Sequence, residues 1–245
     1  MKGWVVILGA TSAIARATAQ SFAKRGFKLC LAGRDQEELE RDAANLRIRF
    51  GVDACSKAFD VEALDTHPAF AEEVQALPGD LSGVVLATGY LGDMNLARRA
   101  PHLERVLFAN MVGPASILSF FADALEARKA GFIVGISSVA GDRGRQSNYV
   151  YGAAKGGLSI YLQGLRNRLF AAGVHVLDVK PGFVDTAMTF GLPGLFLVAS
   201  PAYVGECIVR AVEAKKDSIY TPWFWRYIML IIRNVPERIF KRLKL

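Results

Sequence analysis

Tyr151 and Lys155 stand four residues apart in "YGAAKGGL", within a segment of helical period. That spacing is about one helical turn, so the phenol and the ammonium share a face. A free phenol has a pKa of about 10 and is a sluggish acid or base at neutral pH. A nearby ammonium favours the phenolate through opposite charge and brings the phenol into working range. Ser138 comes 13 residues before Tyr151, at the end of the apolar run "FIVGISS". Asn110, in "FANMVGP", reads by itself as an ordinary polar residue of a long helical segment. Nearby residues of the same types read differently. Tyr149 has Ala153 four residues on, Ser137 has the opposite strand polarity and reads as packing, and Lys180 reads as a solvated or a sheet-end lysine.

Alternating elements must position these groups. Apolar, β-branched runs predict strands at Trp4–Leu8, Lys28–Ala32, Ala54–Ala58, Gly83–Ala87, Phe132–Ser137, Val174–Lys180 and Ser218–Thr221. Longer segments predict helices near Ser12–Arg25, Gln36–Phe50, Leu64–Ala76, Leu103–Lys129, Tyr149–Ala171 and Pro201–Lys215. Strand–helix alternation with nearly all-apolar strands predicts an α/β fold, a doubly wound parallel sheet with helices on both faces. Ligands of such sheets bind beyond the carboxyl ends of the strands. Here those ends read Gly9-Ala10-Thr11-Ser12, Gly33-Arg34-Asp35, Asp60-Val61, Thr88-Gly89, Ser138 and Pro181-Gly182.

With the stretch "VVILGATSAIARA", these residues resemble the short-chain dehydrogenase/reductase family from Val5 to about Thr186. The resemblance implies one Rossmann-type domain over 1–221, a substrate lid at 187–200 and hydride transfer between a nicotinamide cofactor and a ketone. It implies Asn110, Ser138, Tyr151 and Lys155 as the catalytic group, with Tyr151 protonating the substrate oxygen that Ser138 holds. Lys155 would also bind the nicotinamide ribose, and Asn110 would hold a proton-relaying water. The implied cofactor contacts are Gly9, Thr11, Ser12, Ala13, Ile14, Arg34, Asp60, Val61, Gly89, Tyr151, Lys155, Pro181, Val184 and Thr186.

Two departures stand out. The family's Gly-x-x-x-Gly-x-Gly loop keeps Gly9 but has Ala13 and Ala15, and a methyl at Ala13 would crowd the pyrophosphate. The usual Asn-Asn-Ala-Gly is Leu86-Ala87-Thr88-Gly89. Arg34 favours NADP over NAD because a cation suits a 2′-phosphate, although Asp35 follows directly.

Composition excludes several other classes. The cysteines (Cys30, Cys55, Cys207) and histidines (His67, His102, His175) are scattered, which predicts small buried thiols, no metal site and no Ser-His hydrolase. No apolar run reaches the ~18–20 residues of a membrane span, and the N-terminus lacks a signal peptide's apolar core. Of the formal +7, five charges come from 223–245, where six cations face one acidic side chain. Trp223, Phe224, Trp225 and Tyr227 accompany them, so 222–245 reads as a basic amphipathic segment. It suits either peripheral contact with an anionic membrane or packing on the core or an oligomer partner; nucleic acid is not expected. The lid is also apolar, with Met188, Phe190, Leu192, Leu195, Phe196 and Leu197. It fits either a core-covering loop or a mouth for an apolar or lipid-bearing substrate.

Within the family, "ATGYLGD", "SSVAGDRGRQSNYVYGAAKGGL" and the tail resemble a branch that reduces decaprenylphosphoryl 2-keto-pentoses. The expected protein is therefore a cytoplasmic NADPH-dependent reductase, peripheral on the inner membrane face and a homodimer or homotetramer. A soluble reductase of 3-oxoacyl thioesters, steroids or other apolar ketones is the alternative. A catalytically silent dinucleotide-binding membrane partner is another.

Overall fold

The computed structural model describes residues 2–93, 95–191 and 196–243. Leu192 and Leu195 of the lid and Lys244 of the tail lie outside them. The strands are β1 (Lys2–Leu8), β2 (Phe27–Gly33), β3 (Ala54–Ala58), β4 (Leu81–Leu86), β5 (Phe132–Ile136), β6 (His175–Pro181) and β7 (Ser218–Thr221). They pair in parallel in the order β3-β2-β1-β4-β5-β6-β7. This is a Rossmann-type doubly wound sheet, and all seven predicted strands are present. The chain leaves β3 at one edge and returns beside β1 as β4, which opens the ligand crevice between the carboxyl ends of β1 and β4.

The helices are α1 (Ala13–Ala23), α2 (Gln36–Phe50), α3 (His67–Gln75), α4 (His102–Leu107), α5 (Gly113–Arg128), α6 (Tyr149–Leu169), α7 (Pro201–Glu213), α8 (Trp225–Asn234) and α9 (Glu237–Phe240). A π-helical turn, Phe108–Val112, joins α4 to α5, and a 3-10 turn, Val139–Asp142, follows β5. Successive strand residues point to opposite faces. Val5, Ile7, Leu29 and Leu31 therefore pack with Phe22, Leu39, Val204 and Ile208 on one side. Val6, Leu8, Val84 and Ile133 pack with Phe70, Phe121, Leu158 and Leu162 on the other. Burying one such side chain stabilises the fold by roughly 1.5–3 kcal/mol.

Helix starts follow the sequence. Ser12 caps α1 by accepting the Ala15 N–H at 3.2 Å, and Asp35 caps α2 by accepting the Glu38 N–H at 3.0 Å. By length and composition His102–Arg128 could cross a membrane, but half of its most apolar window is buried in the domain, as in a core helix. The thiols depart from expectation. Only Cys30 is buried; Cys55 and Cys207 are half-buried at the sheet edge and on α7.

Candidate active site

Ser138 follows β5 in extended conformation, and its Oγ accepts the Ala140 N–H at 3.0 Å. The 3-10 turn that it caps lies directly against α6, backbone on backbone. A Cβ added to Gly141 would lie 2.6 Å from Gly156 N, one at Gly156 2.9 Å from Gly141 O, and one at Gly152 2.8 Å from Ala140 O. Gly152 and Gly156 follow Tyr151 and Lys155 by one residue each. The helix that presents the phenol and the ammonium is thus locked to the turn that presents the serine. Sequence reasoning gave these glycines no role, although Gly-x-x-x-Gly beside Tyr-x-x-x-Lys was a visible sign of close backbone approach.

Tyr151 and Lys155 are both buried. Burial pushes the Tyr151 phenol up to about 12, and the Ser138 hydroxyl facing it opposes the rise. Burial pushes the Lys155 ammonium down to about 8, and the Asp178 carboxylate opposes the fall. Lys155 Nζ donates to Ile136 O at 2.9 Å and lies 5.9 Å from the centroid of the Tyr151 ring. Asn110 is fully buried in the π-turn. Its Nδ2 donates to Tyr90 O at 2.7 Å and Val106 O at 2.8 Å, while its Oδ1 accepts the Tyr90 N–H at 3.2 Å. Asn110 therefore pins the loop after β4. A Cβ on Gly89 would meet Asn110 Oδ1 at 3.2 Å and Lys155 Nζ at 3.5 Å, so the fold gathers Asn110, Gly89 and Lys155 around one point.

The crevice between the carboxyl ends of β1 and β4 brings together Gly9, Thr11, Ser12, Ala13 and Ile14 with the end of β4. Gly9 takes φ +76, and its α-carbon faces the β4 backbone too closely for a side chain: a Cβ would be 2.9 Å from Thr88 N. Among the described residues, no hydrogen bond uses the N–H of Ala13 or Ile14 at the positive end of the α1 dipole. Thr11 and Ser12 flank them. Thr88 Oγ1, just past the end of β4, is buried without a partner among the described residues. Free amides at a helix start and an orphaned hydroxyl in the adjoining crevice fit a dinucleotide. Ala15 is fully buried, in the place of the loop's third glycine. Val61 is buried, and Asp60 Oδ1 accepts the Glu62 N–H at 3.0 Å, which fixes the turn after β3. Arg34 is exposed and forms no ion pair among the described residues, whereas Asp35 is spent on capping α2.

Pro181, at the end of β6, leads into the neck of the lid. Val184 bridges Ala199, and Asp185 N donates to Ala199 O at 3.0 Å, so the two sides of the lid are stapled at its base. Thr186 and Thr189 close the start of the lid, with Thr189 Oγ1 donating to Val184 O at 2.5 Å. The Met188 methyl would lie 3.7 Å from a Cβ on Gly89, which puts this residue beside the cluster of Asn110, Gly89 and Lys155.

Lys180 is a sheet-end lysine but not a solvated one. It is buried, and its ammonium lies 2.6 Å from Asp142 Oδ1 and 3.7 Å from Asp178 Oδ2. Tyr220 donates to Asp142 Oδ2 at 2.6 Å, and Ser137, packed as expected, donates to Asp178 Oδ1 at 2.5 Å. A charge is tolerated under the sheet end because opposite charges and hydrogen bonds satisfy it.

The tail is two helices rather than one segment, broken at Val235-Pro236. On α8, Trp225 and Met229 are buried against Val139, while Leu230 and Ile231 on the far side, and Trp223 in the turn before the helix, are 59–69% exposed. The indole of Trp225 fills the space where a side chain on Gly182 would be, 1.9 Å from a Cβ there.

A family model described as short chain dehydrogenase matches residues 3–192. An uncharacterized oxidoreductase of Mycobacterium tuberculosis is 34% identical over 98% of this chain and 96% of its own length. Another from Streptomyces coelicolor is 32% identical over 98% and 95%. Among solved structures, a short-chain dehydrogenase from Sphingobium yanoikuyae in complex with NADPH superposes with TM-score 0.83 at 21% identity, covering 97% of each chain. An actinorhodin polyketide ketoreductase variant with NADPH superposes with TM-score 0.81 at 22% identity, covering 91% of this chain and 97% of its own.

Proposed function

The chain belongs to the short-chain dehydrogenase/reductase family of oxidoreductases, and we propose that it uses NADPH to reduce the ketone of a lipid-linked keto-sugar of the decaprenylphosphoryl 2-keto-pentose type. Bound NADPH supplies the hydride to the carbonyl carbon. The Tyr151 phenol, kept neutral by burial, gives its proton to the carbonyl oxygen as the alkoxide develops. Ser138 donates to the same oxygen and holds it against the phenol. The Lys155 ammonium stabilises the phenolate left behind and hydrogen-bonds the cofactor ribose. Asn110, through the Tyr90 backbone, keeps the loop after β4 in place for Lys155, and Thr186 and the Val184 backbone hold the nicotinamide amide.

The preference for NADPH rests on one observation. Asp35, the residue that could have gripped a 2′-hydroxyl, is held as the cap of α2 beside Arg34, which is exposed and has no ion pair among the described residues. The lipid-linked substrate is supported by the apolar lid beside the catalytic group and by the outer face of α8. That face presents Tyr227, Leu230 and Ile231 next to Arg226 and Arg233, with Trp223 exposed just before the helix, the pattern of a helix lying at an anionic bilayer surface. The protein then works from the cytoplasmic membrane face. It pairs with copies of itself through α6 and the π-helical turn that leads into α5, where Ile160, Phe108 and Val112 are exposed.

The test is NADPH consumption with a polyprenyl-phosphoryl 2-keto-pentose, a water-soluble ketone and a 3-oxoacyl thioester, with Tyr151→Phe as control. Turnover confined to the lipid-linked sugar and lost in Tyr151→Phe is expected. Turnover confined to the soluble ketone or the thioester removes the lipid-sugar assignment. NADPH binding without turnover of any of the three favours a silent dinucleotide-binding protein.

A further inference from the structure

The turn behind Ser138 is held from a second side, by the C-terminal helices. Val139 packs on Trp225 and Met229 of α8. Asp142 is tied to β6 and β7 by Lys180 and Tyr220. Arg143, the next residue, reaches over to the end of α8. Its Nη1 donates to Arg233 O at 2.8 Å, and its Nη2 donates to Val235 O at 3.2 Å and Glu237 Oε2 at 2.7 Å. The guanidinium also lies 4.1 Å from the centre of the Phe240 ring of α9.

These bonds do what a helix C-terminus requires. The last carbonyls of α8 have no partner within the helix and carry the negative end of its dipole. Only a planar, forked cation can take two such carbonyls and a carboxylate together while stacking on a ring; a lysine ammonium cannot. The other side of the same turn is in backbone contact with Gly152 and Gly156. Movement at Arg143 therefore has few places to go except into the spacing between Ser138 and Tyr151.

We infer that Arg143 is a positioning residue for the reduction: it fastens the Ser138 turn to α8 and α9, making the C-terminal segment part of the active-site scaffold. This inference rests on the reductase role of Ser138 and Tyr151, so its test includes a readout that needs no substrate.

Full-length Arg143→Ala and Arg143→Lys are compared with the wild type by amide hydrogen exchange, NADPH affinity and turnover. The turnover probe is whichever of the three ketones above the wild type reduces. In Arg143→Ala the Ala140 and Gly141 amides should exchange about tenfold faster or more, with no matching change in α1. Turnover number should fall about tenfold or more, because sub-ångström misplacement of a reacting partner is costly, while NADPH affinity stays within about twofold. Arg143→Lys should lie between the wild type and Arg143→Ala. A merely stabilising role would lower the melting temperature and leave turnover per NADPH-binding site unchanged, and that result overturns the inference. Unchanged exchange at Ala140 and Gly141 overturns it as well, whatever the substrate. If Arg143→Ala does not fold, Glu237→Gln removes one charged partner of the latch. It should shift exchange and turnover the same way by about two- to threefold, and wild-type values in both again overturn the inference.

Discussion

The two ends of the sheet achieve order in different ways. At the carboxyl edge of β1, β2 and β3 the devices are local: Ser12 and Asp35 cap the helices that follow their own strands, and the Arg16 guanidinium pairs with Glu38 and Asp42 of the next helix; only the opposite end of α1 is tied to a distant segment, by Arg25 to Glu206 and Glu213 of α7. The end around β5, β6 and β7 is held by residues distant in sequence. Lys180 reaches Asp142 across 38 positions and Arg143 reaches Arg233 across 90. The first end needs only a generic dinucleotide crevice. The second must fix three side chains to within fractions of an ångström of one another and to a substrate. Precision of that kind comes from burying charge and closing contacts between separate elements, at a cost in stability.

Lys155 should give the largest effect and the sharpest contrast. Lys155→Met should abolish turnover, by about 10³-fold or more, since both the phenol and the ribose lose their cation. The same change should stabilise the fold near pH 7. The folded lysine titrates at about 8, below its unfolded value of 10.5, so between those values the unfolded chain binds more protons. Wild-type stability therefore rises with pH across this window and is lowest below pH 8. The variant's advantage should approach about 3 kcal/mol at neutral pH and fade toward pH 10.5, as read by urea unfolding at several pH values. Over the same range, wild-type kcat/KM should decline as pH rises through about 8.

Lys180→Met should act in the opposite direction on stability. It leaves Asp142 buried without its cation, a loss of about 3–5 kcal/mol by denaturant unfolding. If it costs nothing, the catalytic end is not held as described. At the cofactor end the effects should be smaller and confined to binding. Arg34→Ala should weaken NADPH by about tenfold and NADH by less than twofold, as measured by fluorescence titration. Ala13→Gly should change least, tightening NADPH by no more than about threefold at a stability cost of about 0.5–1 kcal/mol.

The same division explains what could be read from the chain beforehand. All strands were legible because each is an apolar run bounded by turn residues, and Ser138, Tyr151 and Lys155 because one helix and one strand end fix their spacing. The role of Asp35 was also within reach: Asp35-x-x-Glu38 is the capping pattern, and it resolves the mixed message of Arg34 followed by Asp35. Pro236 announced the break between α8 and α9. The burial of Lys180 was not legible, since nothing near it in sequence supplies Asp142 or Tyr220. Nor was the double face of the tail: its apolar residues look alike in the chain, and only packing shows that Trp225 and Met229 point inward while Trp223 and Ile231 do not.

The most direct test of the proposed reaction compares two substrates that differ only in the lipid: a polyprenyl-phosphoryl 2-keto-pentose and the same keto-pentose phosphate without its chain, each with NADPH and anionic vesicles. A kcat/KM about 100-fold or more higher for the lipid-linked sugar is expected, because each buried methylene of the chain contributes binding at the lid and bilayer surface. Equal kcat/KM for the two substrates would contradict it.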